Sequence, residues 1–326
     1  MRVFKYLSII IALAGAALSS CDVHEFPYPV DKEIPFVLHL DYSAELPLHK
    51  IVEYYEDNTK SSGNADSYDI RYIVLIDTAG NTAASEYKYR FVFTEDEVSR
   101  LDNSVTMNIL EGNYNFTVWT DYVQAGSEND HHYDTDKFEE IGFVSQEHIG
   151  CSDWKDAFNG SVASEVSKEV TEATVQMGRP MAKFNFISTD VEKFLSKADY
   201  GSINWDELKI VFTYNGFVPY SFNLFTNKPA DAKTNVDFNA KVNLIGEGEA
   251  ELGFDYVFVH ENESHINVSV AIYNNTGELI SKSKPLEVPL MRSKLTTVKA
   301  DFLTSEADGG VTIVPDFDGE HNYEIK

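Results

Sequence analysis

Tyr68-Asp69-Ile70-Arg71-Tyr72-Ile73-Val74-Leu75-Ile76, residues 68–76, sets Tyr68, Ile70, Tyr72, Val74 and Ile76 on one side of the chain, while Asp69 and Arg71 open the other. A repeat of two belongs to a β-strand, because successive side chains of a pleated chain point to opposite faces. Asp77-Thr78-Ala79-Gly80-Asn81 follows, and its Gly and Asn accept the positive φ of a turn. Tyr87, Tyr89, Phe91 and Phe93 then alternate with Lys88 and Arg90.

The same rhythm extends both ways. Upstream, Phe36, Leu38, Leu40 and Tyr42 alternate with Val37, His39 and Asp41. Downstream come Val105, Met107 and Ile109. Glu111-Gly112-Asn113 then turns the chain into Tyr114, Phe116, Val118, Thr120 and Tyr122, and Val162 to Met177 suits further strand. Gly178-Arg179-Pro180 interrupts the pattern. After it, Met181 to Ile187, Leu208 to Tyr214, Pro219 to Phe225, Val236 to Leu244, Leu252 to Val259, Ile266 to Tyr273, Glu278 to Ser283 and Leu295 to Phe302 read as strands. Only Val191, Phe194, Leu195 and Ala198 carry a short helical spacing, after an N-cap at Thr189 or Asp190. The expected fold is all-β, with two consecutive β-sandwiches over 35–178 and 179–326.

Composition agrees. The 326 residues suffice for about two domains of ~150 residues. Aromatics reach 13%, a bias that suits pleated, half-buried surfaces. A net charge of −27 repels phosphate backbones, so nucleic acid is excluded as a partner.

Residues 1–20 stand apart. Arg2 and Lys5 precede an apolar run from Leu7 to Ala17, the pattern of a secretory signal peptide. Leu18-Ser19-Ser20-Cys21 resembles the bacterial lipobox. That resemblance implies diacylglycerol on the Cys21 sulfur and an acylated amine (palmitate among the chains), and several acyl chains give stable anchoring. No other cofactor is expected. Residues 21–34, with Pro27 and Pro29, read as an extended tether. Cys151 then has no intramolecular partner, and is either a small buried hydrophobe or a nucleophile.

Familiar catalytic signatures are missing. There is no Walker loop, no strand–GxGxxG–helix unit and no G-x-S-x-G elbow. His260-Glu261 is followed by His265, one place too far for a zinc-protease helix. Asp316-Phe317-Asp318-Gly319 lacks the distal Glu of a calcium loop. The densest polar cluster runs from Ser127 to Asp136. There Asp130, His131, His132 and Asp134 are candidate ligands, for Ca²⁺ through oxygens or for Zn²⁺ or Cu²⁺ through imidazoles. The same residues also suit a solvated loop after a strand.

Three stretches carry a family resemblance. Tyr114-Asn115-Phe116-Thr117-Val118-Trp119-Thr120-Asp121-Tyr122-Val123, Arg179-Pro180-Met181-Ala182-Lys183-Phe184, and Val288-Pro289-Leu290-Met291-Arg292-Ser293-Lys294-Leu295-Thr296-Thr297-Val298 resemble, in that order, parts of the fimbrillin-like and fimbrial anchor-type lipoproteins of the Bacteroidales. Ser293 stands where that family often has Asn. The resemblance implies two transthyretin-like sandwiches, no catalysis, an outer-membrane lipid anchor on the cell surface, and a role in pili. Its implied partners are other fimbrial subunits, joined by strand addition at an open sheet edge. The candidate edge and donor strands are Phe36 to Tyr42, with Phe36, Leu38 and Leu40 inward, and Val311 to Tyr323, with Val311 and Ile313.

In polymerising members a protease trims the first strand after a basic residue. Here the first Arg after Cys21 is Arg71, inside an expected strand, which favours an anchor or accessory subunit over a shaft subunit. The alternative is a glycan-binding lipoprotein of a polysaccharide-uptake system, in which Trp119, Trp154 or Trp205 stack on sugar rings. A metal-dependent hydrolase centred on His131 and His132 is the third reading.

Overall fold

The structure is a computed structural model that describes residues 32–42, 68–78, 87–94, 103–197, 203–246, 248–304, 317–318 and 320–324. The leader, Cys21 and most of the tether lie outside the described residues, as do Val311 and Ile313. Among the described residues no helix is long and apolar enough to cross a membrane.

The chain is all-β, as its alternation requires. Strand Tyr68–Thr78 pairs antiparallel with Tyr89–Thr94 on one side and with Gly112–Gln124 on the other, and Phe158–Val166 extends that sheet. A second sheet holds Ile34–Tyr42 between Ser104–Ile109, antiparallel, and Glu172–Met177, parallel. The two sheets enclose one core. Phe36, Leu38, Leu40 and Tyr42 from the first strand meet Ile70, Tyr72, Val74 and Ile76 from the facing sheet. The Phe36 and Phe116 rings stack across the gap at 5.0 Å.

The later strands repeat the plan. Met181–Ser188 lies between Ala250–Phe258, antiparallel, and Leu295–Ala300, parallel. The facing sheet runs Asp237–Ala240, Lys209–Tyr214, Glu263–Tyr273, with Leu279–Lys282 and Leu286–Met291 both pairing to Glu263–Tyr273. Phe184, Phe186, Phe212, Phe238, Leu252 and Val298 belong to the core between them. Gly253 makes this packing possible. Its φ of +153° sits beside a register shift at Phe186/Ile187, and a Cβ there would meet the Phe212 ring at 2.6 Å.

The helix is shorter than its spacing suggests, Val191–Leu195, with Val191 and Phe194 turned inward. Asp190 occupies its N-cap position without a side-chain cap bond. Its carboxylate is taken by Ser188 Oγ (2.6 Å), Leu303 N–H (3.2 Å) and Thr304 N–H (2.7 Å), which pins the segment after the last core strand. The expected run from Pro219 to Phe225 divides into Val218–Pro219 and Ser221–Asn223, which pair with different partners.

Pairing also crosses between the sequence halves expected as 35–178 and 179–326. Ile141–Phe143 pairs with Ser221–Asn223, with Phe222 opposite Ile141. The reason lies on the other face of Tyr68–Thr78 and Gly112–Gln124. Ile73, Leu75 and Trp119 there are apolar and need cover. Tyr133, Phe138, Ile141 and Ala157 supply it, together with Met181, Phe222, Leu224 and Phe258 from the later strands. This third core joins the two sheet pairs through residues 133–157.

Candidate functional site

The segment between Gln124 and Phe158 carries most of the polar chemistry. Its rivet is Asp153-Trp154-Lys155-Asp156, a single 3₁₀ turn (Asp153–Lys155) and its cap, in which each side chain takes a different partner. Asp153 accepts from Lys183 Nζ at 2.6 Å and from the Tyr256 hydroxyl at 3.0 Å. Trp154 stacks on Tyr68 at 4.2 Å. Lys155 donates to Asp255 at 2.5 Å, and Asp156 holds Arg179 through Nε and Nη2 at 2.6–2.9 Å.

Asp255 is 0% exposed, yet accepts from Lys155, His148 (2.5 Å), Tyr214 (2.7 Å) and the Tyr256 N–H (2.8 Å). Burial alone would raise its pKa. The Lys155 and His148 partners overcome burial and hold the carboxyl at about 2. Buried ion pairs add little net stability, but leaving one partner alone is costly, so such a cluster fixes one relative placement of the elements it joins.

The His131/His132 loop is built differently from a metal site. Arg71 reaches Asp121 through Nε and Nη2, and its Nη1 reaches Asp130 Oδ1 at 2.7 Å and the Glu128 carbonyl at 2.8 Å. Thr135 occupies both Asp130 oxygens, its N–H on Oδ2 and its hydroxyl on Oδ1. Burial works to raise the Asp130 pKa, but the bonds from Thr135 and Arg71 hold it below the ordinary carboxylate value. Asp130, Asp134 and Asp136 bring ligand atoms within 4.8 Å of one another, a group that contains neither imidazole. His131 and His132 pack instead on the Tyr68 ring, at 5.2 and 6.2 Å. Burial, with the nearby His131 and Lys155, pushes the His132 pKa down to about 4, so that ring is neutral at pH 7. A cavity of about 110 Å³ lies beside it, lined by His131, His132, His148, Phe143, Lys155 and Tyr220.

The tryptophans do not form a row. Trp119 is 0% exposed in the joining core and unavailable to a ligand. Trp154 packs against the first core and Trp205 against the second, beside Phe194. Cys151 is a half-buried free thiol whose pKa burial lifts to about 11, which makes it an inert packing residue rather than a nucleophile.

A larger groove, about 750 Å³, opens where the first sheet emerges from under the later strands. Asp77, Asn115 and Thr117 come from that sheet, and Phe225, Asn227 and Arg292 from the opposite wall. Sequence reading had no signal for it, because its walls come from residues far apart in the chain.

The model of a family of unknown function, DUF6562, matches residues 36–326. The chain belongs to this family. No curated protein matches it. Solved structures similar to this DUF6562 chain include the fimbrial anchor protein Mfa2 from Porphyromonas gingivalis, at 9% identity over 76% of this chain and 82% of that one, with a TM-score of 0.39. Another is a fimbrial assembly protein from Parabacteroides distasonis, at 10% identity over 82% and 90%, with a TM-score of 0.37.

The DUF6562 match begins inside the first strand. That strand is central, with main-chain partners on both sides, so Phe36, Leu38 and Leu40 do not sit on a free edge. At the other end, Glu320–Glu324 pairs in parallel with Leu295–Ala300 and lies on the chain's own sheet.

Proposed function

We propose that this protein is a non-enzymatic, lipid-anchored surface protein of the outer membrane, an anchor or accessory subunit of a fimbrium that contacts other subunits through sheet edges. The observation that carries this reading is the state of Arg71. It is 1% exposed, lies in a strand paired on both sides, and is tied to Asp121 and Asp130. A protease needs an extended, accessible segment, and Arg71 offers none. A cut after Arg71 therefore does not separate the first strand or the lipid on Cys21 from the body; Lys50 and Lys60, the lysines between that strand and Arg71, lie outside the described residues. Lys32 is exposed, but it precedes Ile34–Tyr42, so a cut there frees the body without removing the strand.

The three stretches that resemble fimbrial lipoproteins also meet in space. The Arg179 N–H donates to Ser293 Oγ at 3.2 Å, and the Ser293 N–H donates to the Met181 carbonyl at 2.9 Å. Trp119 and Met181 share the joining core. The test is deletion of the gene in its host, followed by shearing. Filaments that remain but detach from cells support an anchor, and filaments unchanged in number and attachment refute it.

A further inference from the structure

We propose that the groove between Asp77 and Arg292 is a binding site for a neutral oligosaccharide. Cross-strand register fixes its floor. Ile73, Trp119 and Asn159 form one row across the sheet, Leu75, Thr117 and Ser161 the next, and Asp77, Asn115 and Ala163 the third. The face thus changes from apolar, beneath the joining core, to polar where it reaches solvent. A sheet face that only needed water would not require an opposing wall. Here one is present and fastened: Asn227 Oδ1 accepts from Asn159 Nδ2 at 2.9 Å and from Arg292 Nη1 at 2.8 Å, which links the two sides.

Unspent hydrogen-bonding capacity points to the ligand. Asp77 Oδ1 and Arg292 Nε are both buried atoms with no hydrogen-bond partner among the described residues. The side chains that line the groove therefore include an unspent acceptor and an unspent donor just beneath its surface, beside amides and hydroxyls that do both. A sugar hydroxyl also donates and accepts through one oxygen, so it satisfies all three kinds of group. Unmet buried polar atoms are costly, so a ligand that meets them gains specificity as well as affinity. The half-buried Phe225 ring adds an apolar face of the kind that packs against a pyranose. The volume falls within the range of ~300–1,000 Å³ usual for small-ligand sites.

Other ligand classes fit less well. Among the described groove residues, a phosphate or polyanion would find Arg179 spent on Asp156 and Arg292 already donating to Asn227 and the Val259 carbonyl, and it would face Asp77 on a chain of net charge −27. An added strand would reach main chain only along the outer edge of Phe158–Val166, since Gly112–Gln124 is paired on both sides, and the near end of that edge is closed by the Asn159–Gly178 bridge and by the Gln176 carbonyl against Gly160. The site is independent of the anchor reading, and a failed binding experiment leaves that reading where it stands.

The experiment uses the purified mature protein and saturation-transfer NMR with mannohexaose, xylohexaose, cellohexaose and maltohexaose. Galacturonic acid oligomers and inorganic phosphate serve as anionic probes. At least one neutral hexaose is expected to bind, with affinity reduced about tenfold by Asp77→Ala and by Asn115→Ala. Asp134→Ala, on the separate acidic loop, is expected to leave binding unchanged. Equal melting temperatures of the variants exclude unfolding as the cause. Three results overturn the proposal: no binding of any neutral hexaose, binding of the anionic probes alone, or binding that survives both groove substitutions.

Discussion

Arg71 and Asp121 sit directly opposite each other on neighbouring antiparallel strands and share two hydrogen bonds of 2.9 and 2.7 Å, with both side chains almost fully buried. The pair lies on the outer face of the first sheet, where its strands pass beneath residues 125–136. Arg71 alone among the named cations binds both the sheet and that loop. Replacing Arg71 with Met leaves the buried Asp121 carboxyl without its partner, which is expected to cost about 3–5 kcal/mol in urea unfolding. Arg71→Met with Asp121→Leu is expected to recover most of that loss. The loop stays loosened in the double variant, seen as faster amide exchange at Thr135.

Acid should weaken the fold in two windows. His132 has a folded pKa of about 4, below its ordinary 6.5, so stability is full above 6.5 and falls as pH drops from there toward 4. Asp255 has a folded pKa of about 2, below its ordinary 3.8, so its contribution is present above 3.8 and is lost as pH falls through 2. The Asp255 window is worth about 2 kcal/mol. Urea midpoints measured from pH 7.5 to 2 check both, and His132→Gln is expected to flatten the upper window alone.

Two glycines eighteen residues apart should behave oppositely. A Cβ on Gly160 would lie 2.4 Å from the Gln176 carbonyl oxygen, a main-chain atom that cannot swing aside. Gly160→Ala is expected to cost about 1–3 kcal/mol. A Cβ on Gly178 meets nothing within 4 Å, and Gly178→Ala is expected to change stability by less than about 0.5 kcal/mol. Thermal melting of the two variants is the comparison.

The first strand should prove indispensable to the body. Phe36 is fully buried and stacked on Phe116, so Phe36→Ala is expected to cost about 3–5 kcal/mol by denaturant titration. An Arg-specific protease acting on the folded protein is expected to leave the Arg71–Tyr72 bond intact, which N-terminal sequencing of the products reads directly.

Alternation made the strands legible. Phe36 to Tyr42, Ile70 to Ile76 and Tyr114 to Tyr122 all bury the face that their period assigns. The joining core was not legible, because Ile73 and Leu75 look like the solvent side of a strand until a partner is known to cover them. The His131/His132 loop shows the converse. Its ligand-like residues are adjacent in sequence, but Asp130 is claimed by Arg71, 59 positions earlier, and by Thr135. Asp153 to Asp156 gave no signal at all, since their partners Lys183, Asp255 and Arg179 become neighbours only through folding. Asp77 read as a turn residue, and only the structure places it across a groove from Arg292.

Intact-mass analysis of the native protein extracted from outer membranes bears most directly on the anchor role. The expected species begins at a lipid-modified Cys21 and runs uncut through Ile34–Tyr42 and Arg71 to Lys326. A mature chain that starts beyond Tyr42, or an unmodified chain free in the medium, contradicts it.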